Sequence, residues 1–199
     1  MKGKLVRNII YELYLKTIHV KYGKNLNLKG NPFIYNKSGA EITIGSGCTI
    51  KSSFLSNLVG LYQRTIIVTR APKAHIEIGN NVGISGATVY ARKEISIGDN
   101  TCIGGNVKIL DNDFHPVEWE KRNALLSGKA PETDERVNWI GTRPIHIGKN
   151  CFIGCNAIIL KGTELGDGCV VGAGSVVCGK FPAGSVIAGN PATVIKKVE

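Results

Sequence analysis

Four short segments of this chain carry one five-residue signature, and a six-residue beat links them. The segments are Glu41-Ile-Thr-Ile-Gly45, His75-Ile-Glu-Ile-Gly79, Glu94-Ile-Ser-Ile-Gly98 and Pro144-Ile-His-Ile-Gly148. From Ile147 an aliphatic residue returns at Ile153, Ile159, Leu165, Val171 and Val177. The series Ile97, Ile103, Ile109 and Ile78, Ile84, Tyr90 keep the same step, as do Ile44 and Ile50. Six is neither the helical period nor the simple strand period. It suits a chain that turns a corner after each short extended face, so that three faces close one triangular coil. Every sixth residue then points at the axis, and coils stack about 4.8 Å apart. Each buried Ile or Val contributes roughly 1.5–3 kcal/mol, and no coil hides that surface alone. The fourth residue after each lead faces inward where space is tight. Cys48, Val82, Cys151, Ala157, Thr163, Cys169 and Ser175 hold that slot, which explains three of the six cysteines as small fillers. The predicted fold class is all-β, a parallel β-helix.

The composition agrees. Glycine, at 25 of 199 residues, and Asp or Asn supply the corners. No apolar run approaches the ~18 residues of a membrane span. Residues Met1 to Thr17 lack the continuous apolar core of a secretory signal, so the expected compartment is the cytosol. Without export, six cysteines make a poor disulfide framework. Cys151 and Cys155 are spaced CxxxC with no second pair, and no metal site is predicted. The formal charge is +10, and residues 1–29 hold +6 of it, seven Lys or Arg against Glu12. No nucleic-acid motif accompanies this arm, so nucleic acid is not an expected partner. Leu5, Ile9, Ile10, Leu13 and Ile18 have roughly helical spacing, which predicts a helix over Lys2 to Val20 that caps or packs on the stack. Peripheral contact of that arm with the inner face of a membrane stays open.

The beat breaks in three places. Ile44 and Ile78 are 34 apart, two short of two coils, which makes Ser52 to Thr65 irregular. Ile78 and Ile97 are 19 apart, one over a coil, which predicts a bulge near Arg92. Ile97 and Ile147 are 50 apart, so a loop leaves the stack after Ile109 and returns near Pro144. The next lead would fall on His115. Long excursions in a compact domain are usually functional, and Ile109-Leu-Asp-Asn-Asp-Phe-His-Pro116 is the best site candidate. Residues two apart in an extended segment share a face, so Asp111, Asp113 and His115 would point together. A neutral imidazole beside a carboxylate is a general base near pH 7.

These motifs resemble those of the hexapeptide-repeat acyltransferases, and in particular the galactoside, maltose and xenobiotic O-acetyltransferases. The likeness covers residues 41 to 195 and is most specific from 109 to 191. It implies that the β-helix is left-handed and that the working form is a homotrimer with intersubunit sites. His115-Pro116 matches the family pair whose histidine is the general base. The base takes a proton from the acceptor hydroxyl, which attacks the thioester of acetyl-CoA directly, with a backbone N–H near Cys155 facing the oxyanion. Gly172-Ala-Gly-Ser175 and Ala188-Gly-Asn-Pro191 match the cofactor motif. The resemblance thereby assigns Cys155, Gly172, Ala173, Gly174, Cys178, Lys180, Pro191 and Lys196 to acetyl-CoA; Lys161 and Lys197 are further candidates for its phosphates. Departures are Cys178-Gly179 where galactoside-type members have Thr-Lys, Thr193 for Arg, and Phe152 for Trp. The segment Gly83-Ile-Ser-Gly-Ala87 lacks their sugar-contacting asparagine, so neither galactoside nor maltose is carried over.

The expected organisation is a basic helical arm over 1–40, a β-helix over 41–195 with an inserted loop at 112–143, and a tail at 196–199. The expected activity is acetyl-CoA-dependent O-acetylation of a sugar or polysaccharide precursor, with Trp119 and Trp139 of the loop stacking on the glycan. N-acetylation of an amino sugar nucleotide is the closest alternative, followed by a non-catalytic β-helix scaffold. A zinc lyase on the same fold would need three histidines on one metal, and His19, His75, His115 and His146 show no such spacing.

Overall fold

The inward beat seen in the sequence becomes a three-sided prism. The computed structural model describes residues 2–129 and 139–198, with side chains from residue 10 onward. The first face stacks Val20–Tyr22, Glu41–Ile44, His75–Ile78, Glu94–Ile97, Ile145–Ile147, Glu164–Leu165 and Lys180–Phe181. The second stacks Asn27–Lys29, Thr49–Lys51, Gly83–Ser85, Cys102–Ile103, Phe152–Ile153, Val170–Val171 and Ser185–Gly189. The third stacks Phe33–Tyr35, Ile66–Thr69, Thr88–Ala91, Lys108–Leu110, Ile158–Leu160 and Val176–Val177. All these pairings are parallel and in register, for example Ile78 beside Ile97 and Ile97 beside Ile147.

The axis is filled as the spacing requires. Ile84, Ile97, Ile109, Ile153, Ile159, Val171 and Val177 are buried, and they belong to one continuous core. The tight slot is buried too, at Cys48, Val82, Cys151, Ala157, Thr163, Cys169 and Ser175. Its polar members donate to the next coil: Cys48 Sγ to the Gly79 carbonyl at 3.1 Å, and Cys169 Sγ to that of Pro182 at 3.3 Å. Burial pushes the Cys151 thiol up to about 11, so it stays a neutral filler.

Glycine and Asn supply the corners, and the glycine closing each signature also admits the next coil's backbone. A Cβ on Gly98 would lie 2.6 Å from the Gly148 carbonyl carbon, so glycine is needed because the next coil's backbone passes against it. The left-handed residues of that corner are asparagines at Asn81, Asn100 and Asn150 and glycines at Gly47, Gly168 and Gly184. The asparagine side chains form a ladder, Asn81 to Asn100 and Asn100 to Asn150, each 3.2 Å.

Both ends of the stack differ from expectation. The β-helix begins one coil earlier than residue 41, because Val20–Tyr22, Asn27–Lys29 and Phe33–Tyr35 already pair with the second coil. Helix α1 (Lys2–Thr17) closes that end, burying Leu15 and packing Tyr11 and Ile18 on the core. The Tyr14 hydroxyl donates to the Ile34 carbonyl at 2.6 Å. At the other end, Ala192–Lys197 folds back antiparallel on Ser185–Gly189. Lys196 and Lys197 are thus part of a strand that covers the last parallel edge rather than a loose tail. Among the described residues, no helix is long and apolar enough to cross a membrane.

Ile109 sits at the axis with none of its surface exposed. Ile109→Ala is expected to cost about 2–5 kcal/mol, measured as a lower urea midpoint in equilibrium unfolding.

Candidate active site

The excursion leaves the prism at the corner between the third and first faces, directly after Lys108–Leu110. Alternation along that strand turns Ile109 and Asp111 inward. Asp111 is fully buried. Its Oδ2 accepts the backbone N–H groups of Arg92, Lys93 and Glu94 at 3.0, 2.6 and 2.9 Å; Oδ1 also accepts that of Arg92, at 2.8 Å. This is the bulge that the 19-residue spacing located, and the carboxylate from the next coil fills its nest of amides. Burial raises the Asp111 pKa, while these amides and the Asn112 amide pull against it. The expectation that Asp111 shares a face with Asp113 and His115 is therefore corrected: it is a structural pin. The extended alternation stops at Asn112, whose Oδ1 accepts the Phe114 N–H at 2.9 Å, and Phe114 is left-handed with φ 61°.

Asp113 and His115 stay together on the exit turn, where the His115 N–H donates to the Asp113 carbonyl at 2.6 Å. His115 is exposed, and its imidazole has no hydrogen bond among the described residues. The Asp113 carboxylate is held by the Lys161 ammonium, which comes from the coil above. Lys161, a candidate for phosphate contact, is thus already paired. The returning strand closes the neck: the Asp113 N–H donates to Gly141 O at 3.0 Å, the Arg143 N–H to Asp111 O at 2.9 Å, and Asn112 bridges Thr142 antiparallel. Pro116 is buried, and a helix that the periodicity did not reveal, α2 (Trp119–Leu126), follows it. Arg122 on that helix donates to the carbonyls of Pro116 and Val117, both at 2.9 Å. Trp119 is exposed and Trp139 half-buried. Of the predicted loop 112–143, residues 130–138 lie outside the described residues.

The residues assigned to the acyl donor divide into three places. Cys155 and the Gly172-Ala173-Gly174 run occupy the corner between the second and third faces, where the Gly174 N–H donates to Cys155 O at 2.9 Å. Cys178 lies across the third face, at the corner from which the excursion departs. Lys180 is on the first face, 2.8 Å from Glu164, and Pro191 and Lys196 are on the terminal hairpin. One further feature at the Cys155 corner escaped the sequence. At the corner between the first and second faces, side chains from the next coil accept the outward N–H groups: Ser46 donates to Asn80 Oδ1 at 2.9 Å, and Lys149 to Asp167 Oδ1 at 2.8 Å. At the Cys155 corner the equivalent N–H groups of Gly105, Cys155 and Ala173 find no acceptor among the described residues. They make a row of backbone donors one coil apart.

Comparison with known proteins agrees with this architecture. The family described as the hexapeptide repeat of succinyl-transferase matches residues 144–178. The chain is 34% identical over 134 residues to galactoside O-acetyltransferase of Escherichia coli K12, covering 64% of this chain and 59% of that one. Among solved structures, galactoside acetyltransferase in complex with coenzyme A is 25% identical, with a TM-score of 0.55 over 94% of this chain and 70% of that one. A maltose O-acetyltransferase from Clostridium difficile 630 is 26% identical, with a TM-score of 0.52 over 94% and 74%. The chain spans about half the length of the curated relatives it matches, 44%, 51% and 59% for three of them. The chain thus carries a hexapeptide repeat and is similar to these acetyltransferases, and its fold is a left-handed parallel β-helix.

A Cβ on Gly141 would lie 2.6 Å from Asp113 Oδ2 and 2.7 Å from Lys161 Nζ. Gly141→Ala and Lys161→Met are each expected to loosen the neck. Hydrogen-exchange mass spectrometry should show amides of 112–129 exchanging about ten-fold faster, with the coils over 147–177 unchanged.

Proposed function

We propose that the protein is an acetyl-CoA-dependent O-acetyltransferase acting on a sugar or polysaccharide precursor, with His115 as general base. The observation that carries this reading is the row of unaccepted N–H groups at Gly105, Cys155 and Ala173, since an amide-bearing chain laid along that corner would find a donor at each coil. Pantetheine has that chemistry, and the matched galactoside acetyltransferase was solved with coenzyme A. Small residues at 172–174 leave room for close approach.

In the reaction, His115 takes the proton of an acceptor hydroxyl as that oxygen attacks the thioester carbonyl carbon. The carbonyl oxygen becomes an oxyanion facing the Cys155 N–H. Collapse breaks the carbon–sulfur bond, and the imidazolium returns its proton to the departing thiolate. The products are an acetyl ester and the free thiol, with no acyl-enzyme. Asp113, held by Lys161, fixes the backbone turn that carries the imidazole.

A trimer is part of the proposal. His115 leaves one edge of the third face, and the Cys155 donor row runs along its other edge. A neighbouring copy supplying its donor row to this His115 would complete the site. Exposed Phe54, Leu55, Leu58 and Tyr62, in the irregular segment beside that row, offer apolar surface for such contact. The arm's contact with a cytoplasmic membrane surface belongs to the same reading, supported by exposed Ile10 and Leu13 near Lys16. Trp119 and Trp139 are retained as candidate glycan platforms.

Purified protein with acetyl-CoA and sugar acceptors is expected to release thiol. His115→Ala should lower the rate about 10²–10⁴-fold with an unchanged melting temperature. Amino sugars assayed in parallel separate ester from amide formation. No thiol release with any acceptor overturns the reading.

A further inference from the structure

The irregular stretch at residues 52–65 leaves the second coil at the corner between the second and third faces, three coils below Cys155. Its ends are tied together: the Thr65 N–H donates to Ser52 Oγ at 3.1 Å, and Thr65 Oγ1 to the Lys51 carbonyl at 2.8 Å. Between them the chain climbs the corner. Leu61 is buried over Gly86 and Gly105, where added Cβ atoms would lie 3.0 and 3.3 Å from its Cδ2. Val59 lies against the same glycine, with its Cγ1 2.7 Å from the Cβ position of Gly105. The Gln63 side-chain amide donates to Gly86 O at 2.8 Å, and that of Asn106 to Gly60 O at 3.0 Å. The Tyr62 hydroxyl reaches highest, donating to Asn156 Oδ1 at 3.2 Å, next to Cys155.

This arch ends the row of backbone donors. Strand register puts Gly105, Cys155 and Ala173 at one corner position in successive coils, ~4.8 Å apart. Cys155 and Ala173 carry side chains there, and Gly105 has no left-handed angle that would call for glycine. Its missing Cβ instead makes room for Val59 and Leu61. The corner is therefore open at Ala173 and Cys155 and covered at the coil below. Val59 is 56% exposed and Tyr62 71%, so both present apolar surface along the corner instead of filling the core.

We propose that Val59 and Tyr62 form the end wall of the acyl site and restrict the transferred group to a short acyl chain. The inference rests on the transferase reading, in which pantetheine descends past Ala173 and the thioester carbonyl faces the Cys155 N–H. The acyl carbons then continue along the corner toward Gly105, where the arch stands. An acetyl methyl fits in the one coil of height that is left. Each further methylene is pressed against Val59 and the Tyr62 ring, and a pocket overfilled by one methylene loses roughly ten-fold or more in affinity.

The test is calorimetric titration of the full chain with CoA, acetyl-CoA and butyryl-CoA, which needs no acceptor. Acetyl-CoA is expected to bind at least about ten-fold more tightly than butyryl-CoA. Val59→Ala and Tyr62→Ala are each expected to narrow that gap by about ten-fold, with Val59→Ala melting and sedimenting as the parent protein does. Equal affinity of the parent for the two thioesters overturns the wall and leaves the transferase reading standing. A gap unchanged in both variants does the same. Altered sedimentation of Val59→Ala also overturns the wall, because the arch would then be a contact between copies. Failure of all three molecules to bind overturns the transferase reading, and the wall with it.

Discussion

A single coil of this protein has no inside. Its strands are two to five residues long, and each points one or two aliphatic side chains at an axis that exists only when another coil covers them. Stacking is therefore the interaction on which the rest depends, at roughly 1.5–3 kcal/mol per buried Ile or Val. It also explains the ends. A stack that stopped abruptly would expose its last aliphatic layer and a parallel strand edge. Helix α1 covers one layer with Leu15, and the antiparallel return over Ala192–Lys197 occupies the other edge.

Stacking in register repeats each corner at the same height on every coil. What one coil leaves unsatisfied, the next leaves unsatisfied just above it. Where a corner offers an acceptor, as Asn80 and Asp167 do, the outward N–H groups are tied within the prism. Where it does not, as at Gly105, Cys155 and Ala173, donors line up along the edge. A donor edge of this kind arises from periodicity and small corner residues, without any charged side chain. That accounts for the scatter of the charged candidates: Lys180 is paired with Glu164 and Lys161 with Asp113, while the small residues cluster.

The fold was legible because hexad spacing is a direct readout of which residues meet the axis. The first coil follows the same rule, with Tyr22, Leu28 and Ile34 at the six-residue step, but an aromatic residue rather than an aliphatic one holds its lead position. The bulge at Arg92 was legible as a count, yet its cause was not, because Asp111 reaches it from the next coil. Two-residue alternation misled at Asp111 because it assumes an extended chain, and the Asn112 side chain bends the chain three residues before His115. Helix α2 has neither a strong apolar stripe nor buried residues, so its spacing carries no signal; contacts of Arg122 with Pro116 and Val117 hold it. The Asp113–Lys161 pair joins residues 48 positions apart and follows only once Leu110 is known to lie beside Leu160.

The same register constrains how chemistry is arranged around His115. The excursion departs at one edge of the third face, and the row of backbone donors runs along the other. Between them lies the only face whose outward residues are mainly aromatic and aliphatic, among the described residues. Moving either edge would require shifting the hexad phase, which would turn the inward isoleucines outward. On the proposed reading, His115 and the distant donor row would come together by one prism meeting a second edge to edge. The neck formed by Asp113, Lys161 and Gly141 ties the turn that carries His115 to the prism. Under the proposed reading, docking two such rigid bodies would then be enough to set the distance between the imidazole and the opposing backbone.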